Sequence, residues 1–195
     1  MNDGGTTIAL IVIVGLIVFL YFRRGMSRRI TAPTLGILDL SEGSLTPLIQ
    51  ADSAKLGSLF NSVSESKLNA PKCDVLLLYC YIESDGNIRD STKGLNEIIR
   101  EAGASVAIVA SDNDAKNYIV AAKGKNFGSV NIVLILDRRG EMFGEFFLNL
   151  FTAMKQGTSM PVAWNKLAPQ IPRRDHPDCP ASICLMRAGQ ITFGS

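Results

Sequence analysis

The feature that most constrains this chain is an uncharged apolar run near its start, TTIALIVIVGLIVFLYF, from Thr6 to Phe22. As a helix rising about 1.5 Å per residue, it covers about 26 Å, slightly less than the ~30 Å hydrocarbon core of a bilayer. A signal peptide would carry its basic residues before the run, a surface helix would show a polar face, and a buried core helix would contain more polar residues. We therefore predict one transmembrane helix over residues 6–22, with Ile8 and Phe22 near its two ends.

The charges on either side of this run predict its orientation. Arg23, Arg24, Arg28 and Arg29 follow it directly, whereas the short tail before it carries only Asp3. Because basic residues remain on the cytoplasmic side, residues 1–5 are predicted outside and the bulk of the chain in the cytoplasm. Residues 23–34, which contain Pro33, are predicted to be a basic collar and linker. The collar should attract anionic lipid, which makes the bilayer the first expected partner.

The remaining residues, 35–195, are enough for one domain with a sizeable core. The whole chain carries a net charge of +2. Since four of its basic residues form the collar, the soluble part is close to neutral, and we expect no nucleic-acid groove. The cysteines, Cys73, Cys80, Cys179 and Cys184, lack the spacing of a zinc site and should remain thiols in the cytoplasm. We predict neither a metal nor a cofactor.

Apolar runs that alternate with helical patterns predict an α/β domain. The strongest strand is Cys73 to Ile82, CDVLLLYCYI, which is apolar nearly throughout, as expected for a central parallel strand covered on both faces. Further strands are expected over 35–40, 105–110 and 129–136. Helices are expected from Thr46 to an end near Ser64 to Leu68, and over 93–102, 112–123, 141–156 and 161–167. The predicted fold is therefore a Rossmann-like or caspase-like, mostly parallel sheet with helices on both faces. Residues 181–186 and 190–193 should add a C-terminal hairpin at one edge.

Ligands of such sheets bind beyond the carboxyl ends of the strands, so the loops there hold the candidate ligand-binding residues. These loops are rich in acids, including Asp39, Glu42, Asp90 and Asp114, which disfavour a bare phosphate, and none contains a GxGxxG or GxxxxGK[ST] motif. The candidates for binding a small molecule or a nucleotide are Glu83, Asp85, Arg89, Asp112, Asp137, Arg138 and Arg139.

A family resemblance adds a second candidate site. Residues 75–111, VLLLYCYIESDGNIRDSTKGLNEIIREAGASVAIVAS, resemble the cysteine-bearing half of caspase-like domains, especially the CHAT branch. That resemblance implies a cysteine peptidase with Cys80 as its nucleophile. In the family, however, the catalytic histidine precedes the cysteine, whereas the single histidine of this chain, His176, follows it. A thiol without a base is a poor nucleophile, so we expect Cys80 to be a buried core residue.

The helix expected over 141–156 is unusually apolar. Its aromatic and leucine side chains cover more than the roughly 100° that one sheet-facing stripe needs. Either the segment around Trp164 covers the surplus, or a second subunit or protein partner does. We predict the second arrangement, self-association through this helix.

These features favour a non-enzymatic, ligand- or partner-sensing module that oligomerises on a single membrane anchor. Two alternatives are a membrane-tethered, caspase-like cysteine hydrolase and a nucleotide-sensing membrane effector.

Overall fold

The computed structural model describes residues 27–138, 140–168 and 180–194. The predicted anchor, with Ile8, Phe22, Arg23 and Arg24, lies outside these ranges, as do Arg139, His176 and Cys179. Within them, no helix is long and apolar enough to cross a membrane.

A six-stranded sheet forms the centre of the domain, and the prediction of a mostly parallel sheet is confirmed. Its strand order is β3-β2-β4-β5-β6-β7. Neighbouring strands are parallel except at one edge, where β7 runs antiparallel to β6. The strands are β2 (Thr34–Asp39), β3 (Ser62–Ser66), β4 (Val75–Tyr79), β5 (Val106–Val109), β6 (Asn131–Asp137) and β7 (Ala181–Met186).

Helices cover both faces of the sheet, as the sequence predicts. Local signals set their ends: Pro47 opens the first, the carboxylate of Asp114 caps the third, and Gly103, at φ 68°, ends the second. On one face lie α1 (Thr46–Leu56), α4 (Met142–Lys155) and α5 (Met160–Leu167); on the other lie α2 (Leu95–Ala102) and α3 (Ala115–Ala122).

Strand β4 shows why an uninterrupted apolar run indicates a central strand. Val75, Leu77 and Tyr79 point into the core under α1 and α4, while Leu76 and Leu78 point into the core under α2 and α3. Each of these side chains is at most 1% exposed. Because successive side chains of a strand alternate between its faces, only a strand buried on both faces needs apolar residues at every position.

The connection from β3 to β4 contains no helix. Residues 67–74 return across the second face and pass over Gly36, where an added Cβ would lie 2.5 Å from Cys73 Sγ. Counted from β2, the parallel strands have the order 2-1-3-4-5, which is that of the flavodoxin-type doubly wound sheet. The direction of winding reverses between β2 and β4, and this switch point is where such sheets bind ligands.

The predicted C-terminal hairpin is wrong. β7 does join the sheet as an antiparallel edge, but β8 (Ile191–Gly194) pairs in parallel with β1 (Arg28–Thr31) in a separate two-stranded sheet. The Asn131 side chain accepts a hydrogen bond from Ala188 N and donates one to Gly189 O, both at 3.0 Å. These bonds fix the chain between β7 and β8 against the start of β6. β8 is thereby directed across the end of the sheet.

The predicted linker over 23–34 is likewise wrong where the structure describes it. Residues 28–31 form β1, and Thr34 already begins β2. Burial explains the difference, because Ile30 packs with Ile191 and Phe193 of β8 into the core formed by Phe60 and Phe151. The strand gains apolar contacts that a solvated linker would lack.

The surplus aromatics of the helix at 141–156 are covered within the chain, which corrects the reason given for self-association there. Phe143, Phe147 and Phe151 are 0% exposed. Phe146 packs edge-on against Trp164 of α5, with ring centres 4.8 Å apart. The sheet, α1, α5 and β8 all pack against α4. The helix therefore needs no second subunit to bury its apolar side chains.

Candidate ligand-binding site

Three open depressions line the carboxyl ends of β3, β2 and β4, at the switch point. Their volumes are about 390, 350 and 380 Å³, within the range of small-ligand sites. The first shares Asp39 and Lys67 with the second, and Glu42 and Asp90 with the third. We call this continuous surface the switch-point groove.

The turn after β2 forms one wall of the groove and is held by Asp39. A carboxylate oxygen of Asp39 accepts hydrogen bonds from the backbone N–H and the hydroxyl of Ser41, at 2.9 and 2.5 Å. Ser44 Oγ in turn donates to Ser41 O at 2.8 Å. Asp39 is 7% exposed, so its carboxylate depends on these bonds for compensation of its lost hydration.

Two acidic residues of the groove adopt left-handed backbone conformations. Glu42 has φ 53° and Asp90 has φ 56°, and Gly43 beside Glu42 has φ 86°. Such conformations are uncommon for residues with a Cβ and cluster at binding and catalytic sites. They direct the Glu42 and Asp90 side chains to a shared depression.

A small folded loop after β4 forms the opposite wall. Ile82 and Ile88 pair across it, and both are buried. At its exposed base, Arg89 Nε bonds Glu83 Oε1 at 2.5 Å, and the Arg89 guanidinium lies 5.1 Å from the Tyr81 ring centre. The bond to Glu83 raises the pKa of Arg89. Arg89 thus presents its cation over the flat face of the Tyr81 ring at the edge of the groove.

The predicted ligand residues are thus only partly brought together. Arg89 lines the groove and Glu83 pairs with it. Asp85 lies at the loop tip, where hydrogen bonds from Asn87 lower the pKa of its carboxyl group. Asp112 accepts a bond from Arg138 N at 2.5 Å, and Asp137 ends β6 two strands away from the switch point. Arg139 is outside the described residues.

Arg138 is a core residue, and its prediction as a loop counter-charge for ligand is wrong. Its side chain is 4% exposed, and the guanidinium donates to both carboxylate oxygens of Asp52, at 2.6 and 2.5 Å, and to Ala110 O at 2.8 Å. It also lies 3.9 Å over the ring of Phe143. The aromatic ring and the carboxylate replace the water that a surface arginine would keep.

Asp52 is the partner that sequence reasoning missed. It stands on α1 between the core-facing Ile49 and Leu56 and accepts a 2.5 Å bond from the buried Tyr79 hydroxyl. Burial raises the pKa of Asp52, and the bonds from Arg138 oppose that rise. In the sequence, Asp52 is recognisable as a single acidic residue at a core-facing position of a predicted helix.

Cys80, the predicted alternative nucleophile, lies just beyond β4 and is 0% exposed. Burial raises the pKa of its thiol to about 12. Its backbone N–H donates to Ser111 Oγ at 3.1 Å, and its carbonyl accepts from Ser111 Oγ and Asn113 Nδ2. These polar side chains satisfy the backbone around the cysteine and leave its thiol in apolar surroundings.

Compared with known proteins, the chain matches no family model, no curated protein and no solved structure. Among the described residues, no three histidine, cysteine or acidic side chains stand close enough to hold a metal ion.

The groove also contains residues that sequence analysis did not select. Asp39, Glu42 and Asp90 were visible as loop acids, but Lys67 and Tyr81 carried no signal of their own. Lys67 follows β3, a polar strand in the stretch where the first helix was predicted to end. That prediction is wrong, because the helix ends at Leu56. The sequence places Tyr81 within the apolar run over 73–82. Only the switch between β2 and β4 distinguishes these residues from equally polar residues beyond β5 and β6.

Proposed function

We propose that the chain is a membrane-anchored sensor whose cytosolic α/β domain binds a small polar ligand in the switch-point groove and does not catalyse a reaction. The observation that carries this proposal is the groove itself, with Asp39, Glu42 and Asp90 on its walls at the position where doubly wound sheets bind ligands.

The carboxylates decide which ligands suit the groove. Asp39, Glu42 and Asp90 outnumber its cations, Lys67 and Arg89, and Glu83 already pairs with Arg89. A ligand that donates hydrogen bonds is therefore favoured over a free phosphate, because carboxylates accept hydrogen bonds and repel anions. A polyamine, an amino compound or a polyhydroxylated molecule meets this requirement.

A nucleoside is the second candidate ligand, favoured by the Tyr81–Arg89 pair. Its base would stack on the aromatic ring and guanidinium, and its ribose hydroxyls would donate to the carboxylates. This arrangement keeps the nucleotide-sensing alternative open but predicts that a nucleoside binds more tightly than the corresponding triphosphate.

A binding role is supported over the cysteine-hydrolase alternative by the environment of Cys80. The caspase-like resemblance implies a mostly parallel sheet, with which the observed architecture agrees, and a histidine on a neighbouring strand end. The polar side chains next to Cys80 are Ser111 and Asn113, neither of which acts as a base at neutral pH. A buried thiol with its pKa raised to about 12 remains protonated.

The anchor and the sensing domain suggest how binding is reported. Ligand in the groove would alter association of domains held on one membrane plane, where a tether raises effective concentration. The exposed edge strand β3 offers a pairing surface for that step, since four of its five residues are exposed.

The test is a binding titration on the full chain in nanodiscs. Spermidine, glucose, adenosine, ATP, Mg²⁺ and inorganic phosphate serve as probes in calorimetry and thermal-shift measurements. We expect an amine, sugar or nucleoside to bind, and Asp90→Asn or Glu42→Gln to weaken it about 10-fold or more, the usual loss for a hydrogen bond to a charged group.

The matched control is Glu101→Gln. It removes an exposed acid from the end of α2, at the end of the sheet where the parallel strands begin. It should leave the affinity unchanged. Preferential binding of phosphate or ATP, or equal losses in Glu101→Gln and Asp90→Asn, would contradict the assignment. Loss of biological activity in a folded Cys80→Ala protein would instead restore the hydrolase.

A further inference from the structure

The end of the sheet opposite the groove, where the parallel strands begin, carries an excess of exposed basic side chains. They come from segments far apart in sequence: the approach to β4, the exit of α3, the turn after β7 and strand β1. The exposed residues are Arg28, Arg29, Lys72, Lys123, Lys125 and Arg187. We call this surface the basic edge.

The acids at this edge are already compensated. Asp74 is half-buried and accepts hydrogen bonds from the Thr34 hydroxyl and backbone N–H, at 2.9 and 3.0 Å. Glu101 pairs with Lys93 at 2.8 Å. The exposed basic residues therefore dominate the local potential.

The chain enters the described domain at the same edge. Arg28 N donates to Gln190 O at 2.8 Å, and the neighbouring Gly189 bonds Asn131, the first residue of β6. The β1–β8 ribbon thus begins beside the start of β6. Arg28, close to where the described part of the chain begins, therefore lies at the basic edge.

The sequence places the predicted anchor very close to this entry point. Six residue steps separate Phe22 from Arg28, and a fully extended chain covers at most about 20 Å over that distance. A compact domain of this size has a radius of gyration of about 15 Å and a diameter of roughly 40 Å. A tether shorter than the domain is wide holds the entry edge nearest the bilayer.

We infer that the basic edge docks on anionic lipid headgroups of the cytoplasmic leaflet, so that the switch-point groove faces the cytosol. This inference rests on the anchor of the proposed function and adds a fixed orientation. Lipid is favoured over nucleic acid because Phe127, Phe60 and Phe193, the aromatic residues near this edge, are buried and cannot stack on bases. Exposed cations without stacking groups suit a headgroup surface.

Amide hydrogen exchange tests the orientation on the full chain in nanodiscs. One set of discs contains phosphatidylserine with phosphatidylcholine, and the other contains phosphatidylcholine alone. We expect slower exchange over 123–128 and 187–190 in the anionic discs. The amides of 41–45 and 84–90, at the groove, should exchange equally in both.

Two charge variants of equal size separate this edge from general electrostatics. Lys123→Gln/Lys125→Gln should abolish the lipid-dependent protection, because two basic residues near an anionic surface contribute about 20-fold or more to the docking equilibrium. Lys67→Gln/Lys116→Gln removes two exposed lysines from the groove end and should preserve it.

Equal exchange in both kinds of disc, or protection at 41–45 and 84–90 instead, would overturn the inference. So would protection of the basic edge by a DNA oligonucleotide in phosphatidylcholine discs without any effect of phosphatidylserine. Alkaline carbonate extraction tests the anchor separately. If the chain is extracted, the anchor fails, and flotation of the wild type and the Lys123→Gln/Lys125→Gln variant with phosphatidylserine vesicles still decides the docking surface.

Discussion

At the scale of single residues, the most demanding arrangement is the buried trio of Asp52, Arg138 and Tyr79. It joins α1 to the ends of β4 and β6 and, through Ala110 O, to the end of β5. All three side chains are almost completely buried, so each depends on the others for the hydrogen bonds that water would otherwise supply. The trio therefore ties α1 to the carboxyl ends of three neighbouring strands.

Breaking the trio at one position should cost more than replacing its ion pair. Asp52→Leu or Arg138→Met alone leaves a buried charge without its partner and should lower the free energy of unfolding by about 3–5 kcal/mol. The double variant restores an apolar interior and should cost less than either single change. Urea unfolding measures all three. Additive losses in the double variant would show that the two residues act independently.

Cys80 should be inert in the folded protein. Its thiol should resist a thiol-specific reagent such as 5,5′-dithiobis(2-nitrobenzoate) at pH 8, whereas the half-buried Cys184 should react faster. Cys80→Ala should cost roughly 1 to 2 kcal/mol through lost packing. Rapid modification of Cys80 in native protein would contradict its placement.

The same thiol makes stability depend on pH at the alkaline end. Burial raises the pKa of Cys80 from 9.0 to about 12, so between these values the unfolded chain releases a proton that the folded chain retains. The contribution is complete below pH 9 and is lost as pH rises toward 12, by about 1.4 kcal/mol per pH unit. The free energies of unfolding of wild type and Cys80→Ala, plotted against pH, should differ in this slope. Parallel curves would argue against the raised pKa.

At the scale of elements, the loop after β4 is held by its contact with α3. Gly86 has φ +83°, and an added Cβ would lie 2.7 Å from Ala121 N and 2.9 Å from the Val120 carbonyl carbon. Asn117 Nδ2 also donates to Ile82 O at 2.7 Å. The loop that carries Arg89 to the groove therefore depends on a glycine against the backbone of α3.

Gly86→Ala should lower the free energy of unfolding by roughly 2–4 kcal/mol, because a left-handed conformation and a backbone clash act together. Gly124→Ala is the matched control, since Gly124 has φ +68° and nothing lies within 4 Å of an added Cβ. It should cost only about 1 kcal/mol. Similar losses in chemical denaturation for the two variants would mean that the contact with α3 contributes nothing.

At the scale of the whole molecule, opposite ends of the sheet carry opposite functions in our proposals. The groove and its acids lie where the strands end, and the basic edge and the chain's entry lie where they begin. A sensor with this polarity presents its binding site to the cytosol while its other end faces the bilayer. The arrangement also predicts the topology of the chain in a cell.

Leu68→Cys provides the label for that prediction, since Leu68 is 85% exposed and follows β3 at the groove end. A membrane-impermeant maleimide should not reach it in intact cells and should label it after permeabilisation. Replacing Arg23, Arg24, Arg28 and Arg29 with glutamate should reverse the result in part of the population, because orientation follows basic residues. If Leu68→Cys with the four arginines intact is labelled from outside in intact cells, the domain lies outside the cytoplasm and the predicted topology is inverted.

The helices and strands that depend on local patterns can be predicted from the sequence alone. The all-apolar run at 73–82 predicts a doubly covered strand, and Pro47 and Gly103 indicate the start of α1 and the end of α2. Hydrophobic periodicity and helix caps depend on residues close together in the chain, so they can be recognised from a single sequence. The resulting mostly parallel sheet with helices on both faces is what the structure has.

Which of those elements meet depends on contacts between residues far apart in the chain. β8 pairs with β1 rather than β7, α4 is covered by α5 and β8, and Arg138 turns inward to Asp52, 86 residues away along the chain. Each outcome depends on how much apolar area or how many hydrogen bonds a distant segment offers, which no local pattern encodes. For the same reason, a chain with nearly balanced charge acquired an acidic groove at one end and a basic edge at the other only when folding brought its separate loops together.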